Sequence, residues 1–90
     1  MREIRVGAAQ FEVHDADKDY NLGAIERLAR QAASAGAELV SFNECSISGY
    51  TFAERLSREE LEALAECVPG GPSTERLIAI SRDIGVALAA

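Results

Sequence analysis

The sequence has few cysteines and no long apolar run, and each shortage excludes a class of protein. Its two cysteines, Cys45 and Cys67, are too few for a disulfide-stabilised scaffold and are not spaced like zinc ligands, so we expect two reduced thiols. No segment approaches the roughly 18 consecutive apolar residues of a membrane span. Residues 1–5 alternate charged and aliphatic side chains, unlike a signal peptide. These features predict a soluble, cytoplasmic protein that does not contact membranes.

Basic residues are also scarce. Nine lysines and arginines oppose 15 acidic residues, for a formal net charge of -6, and Lys18 is the only lysine. Such a surface repels nucleic acid and anionic lipid, so we expect neither as a partner. With 48% hydrophobic and 27% charged residues, the 90 residues have the composition of a globular protein. A domain of this size buries only about 60% of its unfolded surface, so we expect marginal stability.

Hydrophobic patterning predicts an α/β fold that begins with a strand-helix-strand unit. We predict strands over residues 4–11 and 37–42, with a helix between them that is capped by Asn21 and ends at Gly36. Tyr20 and Ile25 would then form a hydrophobic staple. A short crossover of this kind makes the two strands parallel. Glycine and alanine in the first strand indicate a buried strand that another element approaches closely.

Two further helices and a third strand complete the prediction. Ser57 and Glu60 have the spacing of a capping box, and Pro72 suits the first turn of the next helix. Gly85 follows the end of that helix, and residues 86–90 have the composition of a strand. The expected inner face of the first of these helices consists of Leu61, Leu64 and Ala65.

The acidic loop before the first helix offers a calcium site as an alternative. Its ligand spacing resembles that of an EF-hand loop. The candidate ligands are Asp15, Asp17, Asp19, Asn21, Gly23 and Glu26. The sixth place is Tyr20, where such a loop needs glycine, and no entering helix precedes it. Acidic residues that face the helix dipole explain the same pattern, so we expect no metal, and we expect Lys18 to be a solvated surface amine.

Glu44 is the candidate for chemistry. Ligands of open parallel sheets bind beyond the carboxyl ends of the strands, and Glu44 comes directly after the predicted second strand. A carboxylate held there by rigid backbone is suited to act as a general base. The alternative is an ordinary loop acid that accepts hydrogen bonds from nearby backbone N–H groups.

Three motifs carry a resemblance to a known family. They are Phe42-Asn43-Glu44 at the end of a strand, Gly49-Tyr50 a few residues later, and Pro69-Gly70-Gly71-Pro72 before a helix. Together with the order of elements, they resemble the N-terminal third of the nitrilase superfamily, the carbon-nitrogen hydrolases. In that family the acid usually follows Phe-Pro rather than Phe-Asn. The resemblance implies a partial αββα sandwich, with residues 1–90 forming an incomplete N-terminal portion of the domain.

The resemblance also implies an activity. Family members hydrolyse nitriles, amides, ureas or carbamoyl compounds through a glutamate, a lysine and a cysteine, without a cofactor. Glu44 matches the glutamate and Tyr50 matches a tyrosine near the acid that can line the substrate pocket. The lysine and cysteine of the family lie beyond the matched region, so we expect the chain alone to be inactive and to self-associate through an uncovered sheet face. The full-length protein is expected to be a homo-oligomer acting on a small amide or nitrile.

Two further expectations concern residues near Glu44. Neighbouring side chains of an extended segment point in opposite directions, so we expect no hydrogen bond between Cys45 and Glu44, and an incidental role for Cys45. Cys67 is expected to be a small core residue, and Gly49 to occupy a turn with positive φ. The alternative to an enzyme is a small α/β module that uses residues 44–50 to hold a ligand or partner without catalysis.

Overall fold

The computed structural model describes residues 2–90, which form a three-stranded parallel sheet and three α-helices. The elements are β1 (Val6–Ala9), α1 (Lys18–Ser34), β2 (Leu39–Phe42), a short 3₁₀ helix (Thr51–Arg55), α2 (Arg58–Leu64), α3 (Pro72–Ile84) and β3 (Ala87–Ala89). This order confirms the predicted α/β class, in which a βαβ start is followed by two helices and a third strand. The 3₁₀ helix was not predicted. No helix within residues 2–90 has the length and apolar character needed to cross a bilayer.

The strand β2 lies at the centre of the sheet, between β1 and β3. Its Val40 pairs with Gly7 on one side and Leu88 on the other, and it is completely buried. Each strand is shorter than predicted, because the outer residues of each predicted range do not pair with a neighbouring strand. The expectation that β1 is buried is wrong: Val6 is 55% exposed, Ala8 is also exposed, and Gly7 and Ala9 are half-buried. No element formed by residues 2–90 covers the face that carries Val6 and Ala8.

The N-terminus of α1 lies four residues earlier than predicted, because Asp17 is the N-cap. The Asp17 carboxylate accepts a hydrogen bond from the Tyr20 N–H at 3.1 Å. Asn21 is therefore inside the helix, and the predicted staple of Tyr20 and Ile25 is also wrong. Tyr20 instead stacks on His14, with 3.5 Å between ring centroids, and remains 43% exposed. Gly36 has φ +95, as expected for a left-handed residue just past the helix end.

The core lies between one face of the sheet and the two long helices. Its fully buried side chains include Ile25 and Ala29 of α1 and Val40 of β2. Burial of an isoleucine or valine side chain contributes about 1.5–3 kcal/mol. A Cβ built on Gly7 would lie 3.2 Å from Ala32 Cβ. This contact confirms the close approach of another element to β1.

The helices α2 and α3 differ in how well they are anchored. In α2 the predicted capping box of Ser57 and Glu60 is present, but the helix buries none of its residues, so the predicted inner face is wrong. Its last turn ends at Leu64, and Cys67, expected in the core, is exposed in the following loop. In α3, Pro72 and Gly85 occupy their predicted places, and Gly85 is left-handed with φ +80.

Candidate active site

The loops that follow β1 and β2 meet at the carboxyl-terminal edge of the sheet. The Phe11 N–H donates to Asn43 Oδ1 at 3.4 Å, and the Ala16 N–H donates to the Ser48 carbonyl at 2.9 Å. Asn43 stands where the family usually has proline. Its side chain therefore contributes a contact that proline does not, joining the end of β1 to the end of β2.

A pocket of about 250 Å³ opens between these two loops and contains Glu44. Its lining residues are Phe11, Val13, Asp15, Asn43, Glu44, Cys45, Gly49, Tyr50 and Thr51. The pocket brings together Glu44 and Tyr50, the two site residues predicted from sequence, and adds the carboxylate of Asp15. No basic side chain is among these nine residues, so the pocket has negative electrostatic character.

Glu44 lies two residues beyond β2, in the turn formed by residues 44–48. Its side chain is exposed, and it forms neither an ion pair nor a hydrogen bond with any part of the chain that the structure describes. A carboxylate without such partners keeps its lone pairs available to accept a proton. The arrangement thus differs from the alternative of a loop acid held by backbone N–H groups.

Cys45 and Gly49 shape the turn that follows Glu44. Cys45 has φ +52, which places it in the left-handed region, and its side chain lines the same pocket as Glu44. The chain is therefore not extended at Cys45, contrary to expectation, and no hydrogen bond joins the Cys45 thiol to Glu44 among the described contacts. Gly49 has φ +96, as predicted, and a Cβ there would lie 2.9 Å from both Asp15 Oδ1 and Phe52 Cε1.

Asn21 is a residue of this region whose place sequence reasoning missed. It is completely buried and hydrogen-bonds the backbone of His14 and of Ile47, which belong to the two loops around the pocket. Its position in the sequence did indicate that Asn21 would be buried. Asn21 precedes the buried Ile25 and Ala29 by one and two helical turns, so it is a polar residue on the apolar face.

Lys18 is also placed differently from its prediction. Its ammonium lies 2.6 Å from Glu66 Oε2 and donates to the Leu64 carbonyl, and its side chain is only 24% exposed. Glu66 also accepts from the backbone N–H and the hydroxyl of Ser73, at 2.7 and 2.5 Å. The Lys18 ammonium, together with these two Ser73 groups, lowers the pKa of Glu66 from 4.5 to about 2. Lys18 is therefore a structural anchor rather than a solvated amine.

A second groove, of about 280 Å³, lies beside this ion pair. It is lined mainly by apolar side chains, among them Ile47, Leu61, Leu64 and Val68. Its two charged groups, Lys18 and Glu66, already neutralise each other. The pocket that contains Glu44 is thus the better candidate for proton transfer. Within residues 2–90, no three histidine, cysteine or acidic side chains are grouped so as to hold a metal ion.

Comparison with known proteins identifies the family of the chain. A family model described as carbon-nitrogen hydrolase matches residues 5–90. A nitrilase from Pyrococcus abyssi is 32% identical over 87 residues, which cover 97% of this chain and 32% of that protein.

Solved structures of an amidase from Nesterenkonia sp. share the fold. One is 28% identical with a TM-score of 0.69, covering 94% of this chain and 30% of the amidase. Another, from strain AN1 in complex with butyramide, is 28% identical with a TM-score of 0.70 and the same coverage. A double mutant in complex with acrylamide is 27% identical, with a TM-score of 0.69 and again the same coverage. The chain thus spans about a third of the length of the relatives it matches, and it belongs to the carbon-nitrogen hydrolase family of the nitrilase superfamily.

Proposed function

We propose that Glu44 is the general base of a carbon-nitrogen hydrolase that acts on small amides. The observation that carries the proposal is the exposed Glu44 carboxylate, which has no described partner and lines a pocket at the carboxyl edge of a parallel sheet. Amidase relatives that bind butyramide and acrylamide support an amide as substrate. A nitrile, as for the curated nitrilase relative, is the second substrate class to assay.

The chemistry divides between this chain and groups outside it. Glu44 accepts the proton of a cysteine thiol as the sulfur attacks the amide carbon, and the resulting oxyanion is stabilised by a lysine ammonium. Glu44 then delivers that proton to the leaving nitrogen, and ammonia departs from the acyl-thioester. In the second half, Glu44 takes a proton from water as the water oxygen attacks the thioester carbon. The carbon–sulfur bond then breaks, the acid is released, and Glu44 returns the proton to the departing sulfur, which restores the thiol and the carboxylate.

The proposed lysine and cysteine lie outside residues 1–90. Lys18 is already paired with Glu66, at 2.6 Å, and does not line the pocket that contains Glu44. Cys45 lines that pocket but occupies the same turn as Glu44, directly after it in sequence. We therefore propose that the isolated 90-residue chain hydrolyses neither amides nor nitriles. In the same proposal, the protein that contains this chain is cytoplasmic and forms a homo-oligomer.

The test is Glu44→Gln in the gene product that contains this sequence, assayed by ammonia release from butyramide. Loss of the base is expected to lower kcat at least about 100-fold, while the exposed position leaves the melting temperature nearly unchanged. Glu54→Gln is the matched control, because Glu54 is another exposed acid nearby, on the 3₁₀ helix, and does not line the pocket. Activity of Glu44→Gln comparable to that of Glu54→Gln would show that Glu44 is not the general base. A protein that releases no ammonia even without substitution would favour the non-catalytic binding module.

A further inference from the structure

The amide of Asn21 joins the two loops that form the Glu44 pocket. Its Oδ1 accepts from the His14 N–H at 2.9 Å, and its Nδ2 donates to the carbonyls of His14 and Ile47, each at 2.8 Å. Both amide donors are therefore used, and the side chain is completely buried. A buried and fully bonded amide specifies one arrangement of its partners, because any other arrangement leaves polar groups unpaired away from water.

Glu44 lies between two fixed points of the backbone. Before it, β2 holds the chain in the sheet as far as Phe42, and after it the Ile47 carbonyl is held by Asn21. Between them, Cys45 adopts φ +52, a conformation that a residue other than glycine keeps only when its surroundings enforce it. The Asn21 contact holds the backbone two residues beyond Cys45, in the same turn.

Asn21 also binds the backbone of His14, in the loop that follows β1 and forms another part of the pocket. His14 directly precedes Asp15, which lines the same pocket as Glu44 and belongs to the loop after β1. The Ala16 N–H, donating to the Ser48 carbonyl at 2.9 Å, reinforces the same junction. One buried side chain on α1 therefore contacts the backbone of both loops, in addition to the hydrogen bonds that the loops make with each other.

We propose that Asn21 is a positioning residue for Glu44: it has no contact with the substrate, but it holds the turn from which the Glu44 carboxylate reaches the reacting atoms. This inference rests on the proposed function, in which Glu44 is the general base. A displacement of about 1 Å at a reacting group can cost roughly 100-fold in rate. Loss of the Asn21 amide is accordingly expected to lower kcat more than it raises KM.

The experiment uses Asn21→Ala and the milder Asn21→Ser, which keeps one hydroxyl donor, in the gene product that contains this sequence. The control is Ile25→Ala, a core truncation one turn further along α1 at a side chain that is equally buried. Butyramide kinetics are measured at a temperature where circular dichroism shows every variant folded. Hydrogen exchange by mass spectrometry follows peptides that cover residues 12–17 and 43–50.

For Asn21→Ala we expect kcat to fall at least about tenfold with KM within about threefold, and exchange in both loop peptides to rise while exchange in α3 is unchanged. Asn21→Ser should retain an intermediate kcat. Ile25→Ala should leave kcat within about twofold of the unsubstituted protein, even if it lowers the melting temperature as much as Asn21→Ala does. If Asn21→Ala is too unstable to assay, Asn21→Ser carries the test, with a smaller fall in kcat and faster exchange in the same two peptides.

Two results overturn the inference, and they are distinguishable. If Glu44→Gln is inactive while the Asn21 variants keep the kcat of Ile25→Ala, Glu44 is the base but Asn21 does not position it. If Glu44→Gln is itself active, the proposed function fails and the positioning role fails with it.

Discussion

The Lys18 ammonium lies 2.6 Å from the Glu66 carboxylate, and this pair links the first turn of α1 to the segment between α2 and α3. The two side chains are 24% and 15% exposed. Glu66 also accepts two hydrogen bonds from Ser73 at the start of α3. Because α2 buries none of its own residues, this polar junction is a principal attachment of its C-terminal end to the rest of the fold.

The first prediction concerns the Lys18 ammonium. Lys18→Met removes the donor to Glu66 and to the Leu64 carbonyl, so the melting temperature should fall by several degrees. The control is Arg58→Met, which breaks the Arg58–Glu62 pair, whose arginine is 91% exposed. Pairs of that kind contribute little, and differential scanning fluorimetry should show almost no change. Equal shifts for the two variants would mean that Lys18 is no anchor.

The second prediction concerns acid stability. The pKa of Glu66 is lowered to about 2 in the folded protein, from an ordinary value of 4.5. Its ionised form therefore stabilises the fold fully above about pH 4.5, and this contribution is lost as the pH falls from there towards 2. Thermal unfolding between pH 2 and 6 should show this loss in the native protein and a flatter acid limb in Glu66→Gln. An unchanged acid limb in Glu66→Gln would contradict the assignment.

The third prediction uses two glycines with opposite surroundings. Gly49→Ala forces a residue with φ +96 to carry a Cβ that would lie 2.9 Å from Asp15 Oδ1, so it should destabilise the protein by roughly 1–3 kcal/mol. Gly23→Ala places a Cβ on α1 that meets no atom within 4 Å other than its chain neighbours and the nearby helix backbone, so it should stabilise the protein by about 0.5–1 kcal/mol. Urea unfolding measures both free energies, and a destabilised Gly23→Ala would show that its side chain position is not open.

The fourth prediction concerns Tyr50, which the family resemblance implies can line the substrate pocket and for which we propose a role in substrate binding. Its side chain lines the Glu44 pocket and is 65% exposed, so Tyr50→Ala should raise KM for butyramide roughly three- to tenfold with little effect on the melting temperature. Tyr20→Ala is the control, because Tyr20 is 43% exposed, stacks on His14 and does not line that pocket. The proposed role would be lost if both variants changed KM equally.

The fifth prediction concerns the uncovered sheet face. Ile4 and Val6 are each 55% exposed, and the adjacent Ala8 of β1 is exposed as well. Exposed apolar surface drives association, so the isolated 90-residue chain should show concentration-dependent self-association in sedimentation velocity. Val6→Arg should reduce it, whereas Ile78→Arg, on α3 and 37% exposed, should not. A chain that remains monomeric at all concentrations would contradict self-association through this sheet face.

Local features of the fold were predictable because each depends on residues close together in sequence. Neighbouring residues and local backbone conformation are enough to predict the Ser57 and Glu60 capping box and Pro72 at the start of α3. The same holds for the left-handed glycines, which are Gly36, Gly49 and Gly85. The placement of Glu44 beyond the end of β2 follows in the same way, from the apolar strand that precedes it.

The N-cap of α1 could not be predicted from local residue preferences. Asp17 and Asn21 are both good N-cap residues, and local preference does not choose between them. The choice depends on Ile47, which is 26 residues further along and accepts a hydrogen bond from Asn21 inside the fold. Lys18 was misplaced for the same reason, since Glu66 is 48 residues away.

The sequence by itself determined the order of the strands and α-helices, the start of α2, both ends of α3, and the carboxylate at the edge of the sheet, because hydrophobic period and capping act over a few residues. Only the tertiary structure decided which polar side chains are buried and what they bind. Asn21 and Lys18 acquire their partners when separate loops are brought together, and hydrogen bonds between such distant groups have no signature in a local pattern.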